Sequence, residues 1–169
     1  MNRIAQSIRN RLSLRKPQEY SLNILAELAD KLMLKKHTSN PSQEGDFLKE
    51  QLEIVKSAYP TCTDFERSFP SICFALATGV GKTRLMGAFV SYLYLAKGIR
   101  NFFVLAPNLT IYNKLIEDFS NTTHPKYVFQ GIGEFVHNNP VIITGDNYNS
   151  IGNLYKEQGR LKEALGFYQ

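Results

Sequence analysis

Apolar residues recur at two different spacings along this chain, and the alternation between them predicts its elements. Ile4, Ile8 and Leu12 stand four apart, and Leu22, Ile24, Leu25, Leu28, Leu32 and Leu34 resume a helical spacing further on. Two helices are therefore expected, parted at Pro17, which cannot donate to a helical ladder and restricts Lys16 before it. His37 to Gly45, with Pro41 and several small polar residues, reads as a loop. Phe47, Leu48, Leu52, Ile54 and Val55 mark another helix, ending near Tyr59 with Pro60 just past it. Ser71 to Ala77 is a short apolar run after Pro70 and reads as a buried strand. Lys82 to Ala96 is a helix with Leu85, Met86, Phe89, Val90 and Leu93 inward, closed near Gly98. Phe102 to Ala106 reads as a second strand, Leu109 to Phe119 as a helix, and Tyr127 to Phe129 and Val141 to Thr144 as short strands. Strands alternating with helices predict βαβ units, and continuous apolar strands predict a parallel sheet covered on both faces. The expected fold class is α/β.

Size and charge narrow the picture. A chain of 169 residues suffices for one domain with a real core. No apolar run is long enough to span a membrane, and the polar N-terminus lacks the apolar stretch of a secretory signal. The arginine-rich, acid-free segment Met1 to Lys16 reads as a basic solvated helix rather than a transit peptide. Cys62 and Cys73 have no third or fourth partner and read as reduced thiols of a cytoplasmic protein. The net charge of +5 is all N-terminal: Arg3, Arg9, Arg11, Arg15, Lys16, Lys31, Lys35 and Lys36 face three acids before residue 41, and the rest balances. Such an excess suits phosphate-backbone contact, and a solvated helix face explains it equally well.

The sharpest chemical signal is Phe74-Ala75-Leu76-Ala77-Thr78-Gly79-Val80-Gly81-Lys82-Thr83. An apolar run enters a glycine-containing turn, and Gly-Lys-Thr then opens an amphipathic helix. Gly79 and Gly81 allow a tight turn that brings backbone N–H groups against phosphate oxygens. The helix start aims its positive dipole end at the same anion. Lys82 can reach the β- and γ-phosphates, and the Thr83 hydroxyl can ligate magnesium. Leu76 stands where the general pattern has its first glycine. The competing reading is an ordinary strand–turn–helix that happens to contain Gly-Lys-Thr.

Ala77 to Thr83, followed by Phe103-Val104-Leu105-Ala106-Pro107-Asn108, resembles motifs I and Ia of superfamily 2 helicase-like ATPases. Within that group the phrasing is most similar to the Res subunit of type III restriction enzymes and its DEAD/DEAH-like relatives. The resemblance covers about residues 11 to 150 and implies an incomplete RecA-like P-loop domain that binds ATP and Mg. It implies a cradle of Thr78, Gly79, Val80 and Gly81, phosphate and magnesium contacts from Lys82 and Thr83, and an adenine contact from Gln18 within Leu14-Arg15-Lys16-Pro17-Gln18. Ala106, Pro107 and Asn108 would lie along the nucleic-acid track, although Asn108 as a plain helix N-cap is an equal reading. DNA is the implied partner, with a modification subunit or other protein as a possible second. The family hydrolyses ATP with an acidic pair, and no Asp-Glu pair occurs in this chain. Asp146, after Val141 to Gly145, reads as a turn residue more readily than a magnesium ligand. Nucleotide binding is expected; turnover by this chain alone is not. No catalytic residue is assigned, and His37, His124 and His137 read as solvated loop positions.

From Tyr148 to Tyr168 the chain resembles one tetratricopeptide repeat, with Ile151-Gly152, Tyr155, Gly159, Ala164 and Tyr168 at that pattern's spacings. A single repeat cannot bury its own apolar face. The expectation is a natural truncation or a fusion. Three regions follow: helices over 1–60, a partial RecA-like domain over 61–146 and a helical hairpin over 147–169. The rival function is a tetratricopeptide-type interaction module with a vestigial phosphate loop.

Overall fold

The computed structural model describes residues 2–34, 41–138 and 140–144, the side chains of 41–44 excepted. Among them are six helices: α1 (Arg3–Arg11), α2 (Lys16–Lys31), α3 (Pro41–Ala58), α4 (Lys82–Lys97), α5 (Leu109–Ser120) and α6 (Glu134–His137). The helical periodicities thus became helices. Their ends follow local chemistry. Asn2 caps α1, its side chain accepting from the Ile4 and Ala5 amides at 3.0 and 3.4 Å. The break between α1 and α2 falls at residues 12–15, and Pro17 sits inside the first turn of α2, where a missing N–H removes no helical bond. The third helix begins at Pro41, within the segment expected to be a loop, because proline suits a first helical position. Gly98, at φ +66°, closes α4 while its amide and that of Ile99 bond back to Tyr94 and Leu93.

The expected α/β class does not hold, and neither does its RecA-like parallel sheet. No described residue lies in a strand. Ser71 to Ala77, Phe102 to Ala106 and Val141 to Thr144 are irregular rather than strands, and Phe103, Leu105 and Val141 are 87%, 76% and 85% exposed. Tyr127 to Phe129 is a turn: the Tyr127 amide bonds to His124 O, and Phe129 O accepts from the Ile132 amide. The physical reason is that a helix satisfies its backbone within its own segment, whereas a strand exists only through a neighbour's ladder. Apolar, β-branched composition makes a segment fit for a sheet without supplying that neighbour. The helical hairpin expected over 147–169, and Asp146, lie outside the described residues.

The chain divides into two compact units, Met1–Phe103 with Val128–Ile132, and Val104–Tyr127 with Gly133–Gln169. In the first unit α1 and α2 both pack on α4. Ala5, Ile8 and Leu12 are buried on α1 and its cap, Leu22, Ala26 and Ala29 on α2, and Leu85, Ala88 and Tyr92 on α4. Each set keeps helical spacing, so each helix turns one apolar stripe inward. Gly87 of α4 lets the turn at Val128 lie directly against the helix, since an added Cβ would meet Val128 O at 2.4 Å. Val128, Phe129 and Ile132 are buried in this unit, which explains why the 128–132 segment belongs to it. A second cluster joins Leu28 and Leu32 of α2 to Val55 of α3 and to Phe65. Burying side chains of this size stabilises by about 1.5–3 kcal/mol each. In the second unit Asp118, Phe119, Tyr127 and Phe135 are buried.

Candidate phosphate-binding loop

Residues 78–83 lie in the first unit, ahead of α4. Gly79 takes φ +80° and Gly81 φ +89°, the left-handed region where a side chain is strained. Thr78 and Gly79 are exposed and Val80 is half-buried between the two glycines. Gly81 is the N-cap of α4 and, having no side chain, leaves the amides of that helix's first turn without a cap of its own. These amides have no intrahelical acceptor and carry the positive end of the helix dipole. Lys82 occupies the first helical position, exposed, with Nζ donating to Ala77 O at 3.2 Å. That bond folds the ammonium back over the loop. Thr83 follows on the same turn and is half-buried.

Gln18, expected from the resemblance to meet adenine, is 2% exposed and both ends of its amide are engaged. Its Oε1 accepts from the Arg15 amide at 2.8 Å, and its Nε2 donates to Gly81 O at 2.9 Å. The structure therefore brings Gln18 to the glycine turn ahead of α4 across 63 positions of sequence. A Cβ on Gly81 would lie 2.7 Å from this Nε2, so a larger residue there would have to displace the Gln18 amide in addition to adopting the left-handed φ.

Sequence reasoning missed Arg84. Its Nη1 donates to Leu12 O at 3.1 Å, linking the first turn of α4 to the cap of α1. An arginine right after Lys-Thr was the available signal, but its carbonyl partner, 72 positions away, could not be read. Asn108 does cap α5, accepting from the Ile111 amide at 3.0 Å. Pro107 and Asn108 are exposed and Ala106 is half-buried. Of the basic excess, Arg9 is paired with Glu19 at 2.8 Å and Lys31 with Glu27 at 2.7 Å, while Arg3, Arg15 and Lys16 are exposed.

His124 departs from the solvated reading. Its Nδ1 stands 3.3 Å from Asp118 Oδ1 and its Nε2 3.7 Å from Glu117 Oε1, at the C-terminal end of α5. Lys114 Nζ lies 3.8 Å from the other oxygen of buried Asp118. His137 is exposed in α6, and His37 lies outside the described residues. Cys62 is half-buried and Cys73 is exposed, and neither is in a disulfide. Both line a cavity of about 790 Å³ with Ile24, Leu28, Tyr59 and Phe69, which includes none of residues 78–83. On α2, Ile24 and Leu28 stand about 9 and 15 Å along the axis from Gln18. No group of three or more metal-ligating side chains occurs among the described residues, and no described helix is long and apolar enough to cross a membrane.

The family described as "Type III restriction enzyme, res subunit" matches residues 11–161. The match therefore covers residues 78–83 and runs into the stretch expected to form a tetratricopeptide-type hairpin, for which no comparison gives support. The chain is also 35% identical over 89 residues to a Haemophilus influenzae protein described as "Probable type III restriction-modification enzyme HindVIP Res subunit". That alignment takes in 46% of this chain and 17% of the relative, so the chain spans a small fraction of that protein's length. No solved structure matches.

Proposed function

Because the chain belongs to the family of type III restriction enzyme Res subunits, we propose that it is the nucleotide-binding N-terminal part of a DNA-dependent ATPase of that kind. One observation carries the reading: two left-handed glycines, Gly79 and Gly81, deliver the backbone into a helix whose N-cap has no side chain to cap the first-turn amides. That is an anion cradle with donors and a dipole but no built-in acceptor. Open space supports it, since a Cβ on Gly79 would meet nothing within 4 Å.

In this reading Thr78, Gly79, Val80 and Gly81 surround the phosphates of ATP. Lys82 exchanges its bond to Ala77 O for phosphate oxygens, and the Thr83 hydroxyl holds Mg, which screens the phosphate charge. Gln18 belongs to the same site through Gly81. DNA, and a modification subunit, are the partners this reading assigns, with the exposed Arg3, Arg15 and Lys16 available to phosphates. The family's hydrolysis uses an Asp-Glu pair, and that order of residues does not occur in this sequence, so binding without turnover is the expected behaviour of these residues alone.

The test is titration of a fluorescent ADP or non-hydrolysable ATP analogue with Mg into the chain and into Lys82→Ala. A charge-assisted contact contributes about 1.5–3 kcal/mol, so the variant should bind roughly tenfold to a hundredfold more weakly. No binding by the parent chain, or equal binding by both, would end the proposal.

A further inference from the structure

We propose that Arg84 is a positioning residue for the phosphate loop, and that it works by tying the loop's exit to the turn that closes α1. The inference rests on the nucleotide-binding reading and adds to it a support that lies on another helix. Two side chains join the same two stretches. Gln18 Nε2 donates to Gly81 O while its Oε1 accepts from the Arg15 amide. Arg84 Nη1 donates to Leu12 O. Leu12 and Arg15 bound one tight turn, and Gly81 and Arg84 bound the first turn of α4. The hydrogen bonds and the two short backbone stretches close a ring through Leu12, Arg15, Gln18, Gly81 and Arg84.

The ring matters because of what it encloses. On one side it holds Gly81, whose φ of +89° sets the direction of the loop, and Lys82 and Thr83 just after it. On the other it holds Ser13 at φ +49°, a left-handed conformation that a non-glycine residue keeps only when its surroundings dictate it. One bond would leave the loop's exit free to pivot; two bonds at its two ends fix its angle. Arg84 serves this role because its planar, always-charged donor fork reaches a carbonyl on the other helix's cap. The consequence is that α1, most of which precedes the matched residues 11–161, helps set the nucleotide cradle.

The experiment compares the parent chain with Arg84→Ala, Arg84→Lys and Lys97→Ala, each shown to be folded by circular dichroism at the assay temperature. Lys97 ends the same helix and pairs with Asp30 at 2.6 Å, so its variant removes a staple of α4 far from the loop. The readout is affinity for the fluorescent Mg-ADP probe beside the melting temperature without nucleotide. Arg84→Ala should bind on the order of tenfold more weakly, Arg84→Lys should recover most of that, and Lys97→Ala should bind as the parent does. Equal affinity of Arg84→Ala and the parent would overturn the inference and leave the nucleotide reading standing. So would a loss shared with Lys97→Ala, which would make Arg84 merely structural. Failure of the parent chain to bind would remove the nucleotide reading and this inference with it.

Discussion

Two alanine substitutions two positions apart, at Gly79 and Gly81, separate what glycine does for the backbone from what it does for a neighbour. Gly79 and Gly81 share the left-handed region, at φ +80° and +89°, so Gly79→Ala and Gly81→Ala both carry a backbone strain of about 1–2 kcal/mol. Only at Gly81 would the new methyl collide, 2.7 Å from Gln18 Nε2; at Gly79 it meets nothing within 4 Å. The Gln18 side chain is 2% exposed and cannot swing into water. Displacing it breaks its bond to Gly81 O and leaves buried polar atoms unpaired, a further loss of about 1–3 kcal/mol. For a domain of this size each kcal/mol lowers the melting temperature by about 2–4 °C. Gly81→Ala should therefore melt roughly 2–12 °C below Gly79→Ala. Scanning calorimetry or circular dichroism measures the difference, and the double variant Gln18→Ala with Gly81→Ala should recover part of it, because the collision goes with the amide. Equal melting temperatures for the two single variants would refute the contact and with it the claim that Gln18 braces the loop.

Three other outcomes follow from the same coordinates. Gly87→Ala gains about 1 kcal/mol of helix propensity but drives a methyl to within 2.4 Å of Val128 O, so a net loss of about 1–3 kcal/mol is expected by denaturant unfolding. Ser13→Val should lose about 1–2 kcal/mol, since a β-branched residue tolerates φ +49° poorly, while Ser13→Gly should stay within about 0.5 kcal/mol of the parent; equal stability of all three would remove the strain argument. Burial, and secondarily Asp30, push the Tyr92 phenol up to about 12 from 10.0, and burial with Glu27 does the same for Tyr59. Both hold their proton more tightly folded than unfolded, so their contribution is complete below pH 10 and disappears as pH rises toward about 12. Melting temperature should fall across that window, with less fall in Tyr92→Phe.

The helical part of this protein was written locally. Ile4, Ile8 and Leu12 share a face whatever lies elsewhere, Asn2 and Asn108 cap because their side chains reach amides two or three residues on, and Gly98 ends α4 by its own φ. The glycine turn ahead of the fourth helix was legible for a similar reason: Gly79 and Gly81 both take positive φ and Lys82 opens the helix, all within a contiguous stretch. Family membership was legible too, because it rests on that contiguous motif and on the segments around it.

What the tertiary structure alone decided is everything that needs a distant partner. Whether Phe102 to Ala106 becomes a strand depends on a neighbouring ladder that apolar composition cannot supply, and it stands unpaired with Phe103 and Leu105 exposed. That Gln18 lies beneath Gly81, that Arg84 finds Leu12 O, and that His124 lies beside Asp118 are equally outside any periodicity. Helix bonds and caps close over three or four residues, so sequence order contains them. Strand ladders and braces such as Gln18 to Gly81 and Arg84 to Leu12 close across tens of residues, and the packing of α1, α2 and α4 brings the ends of those two braces within reach.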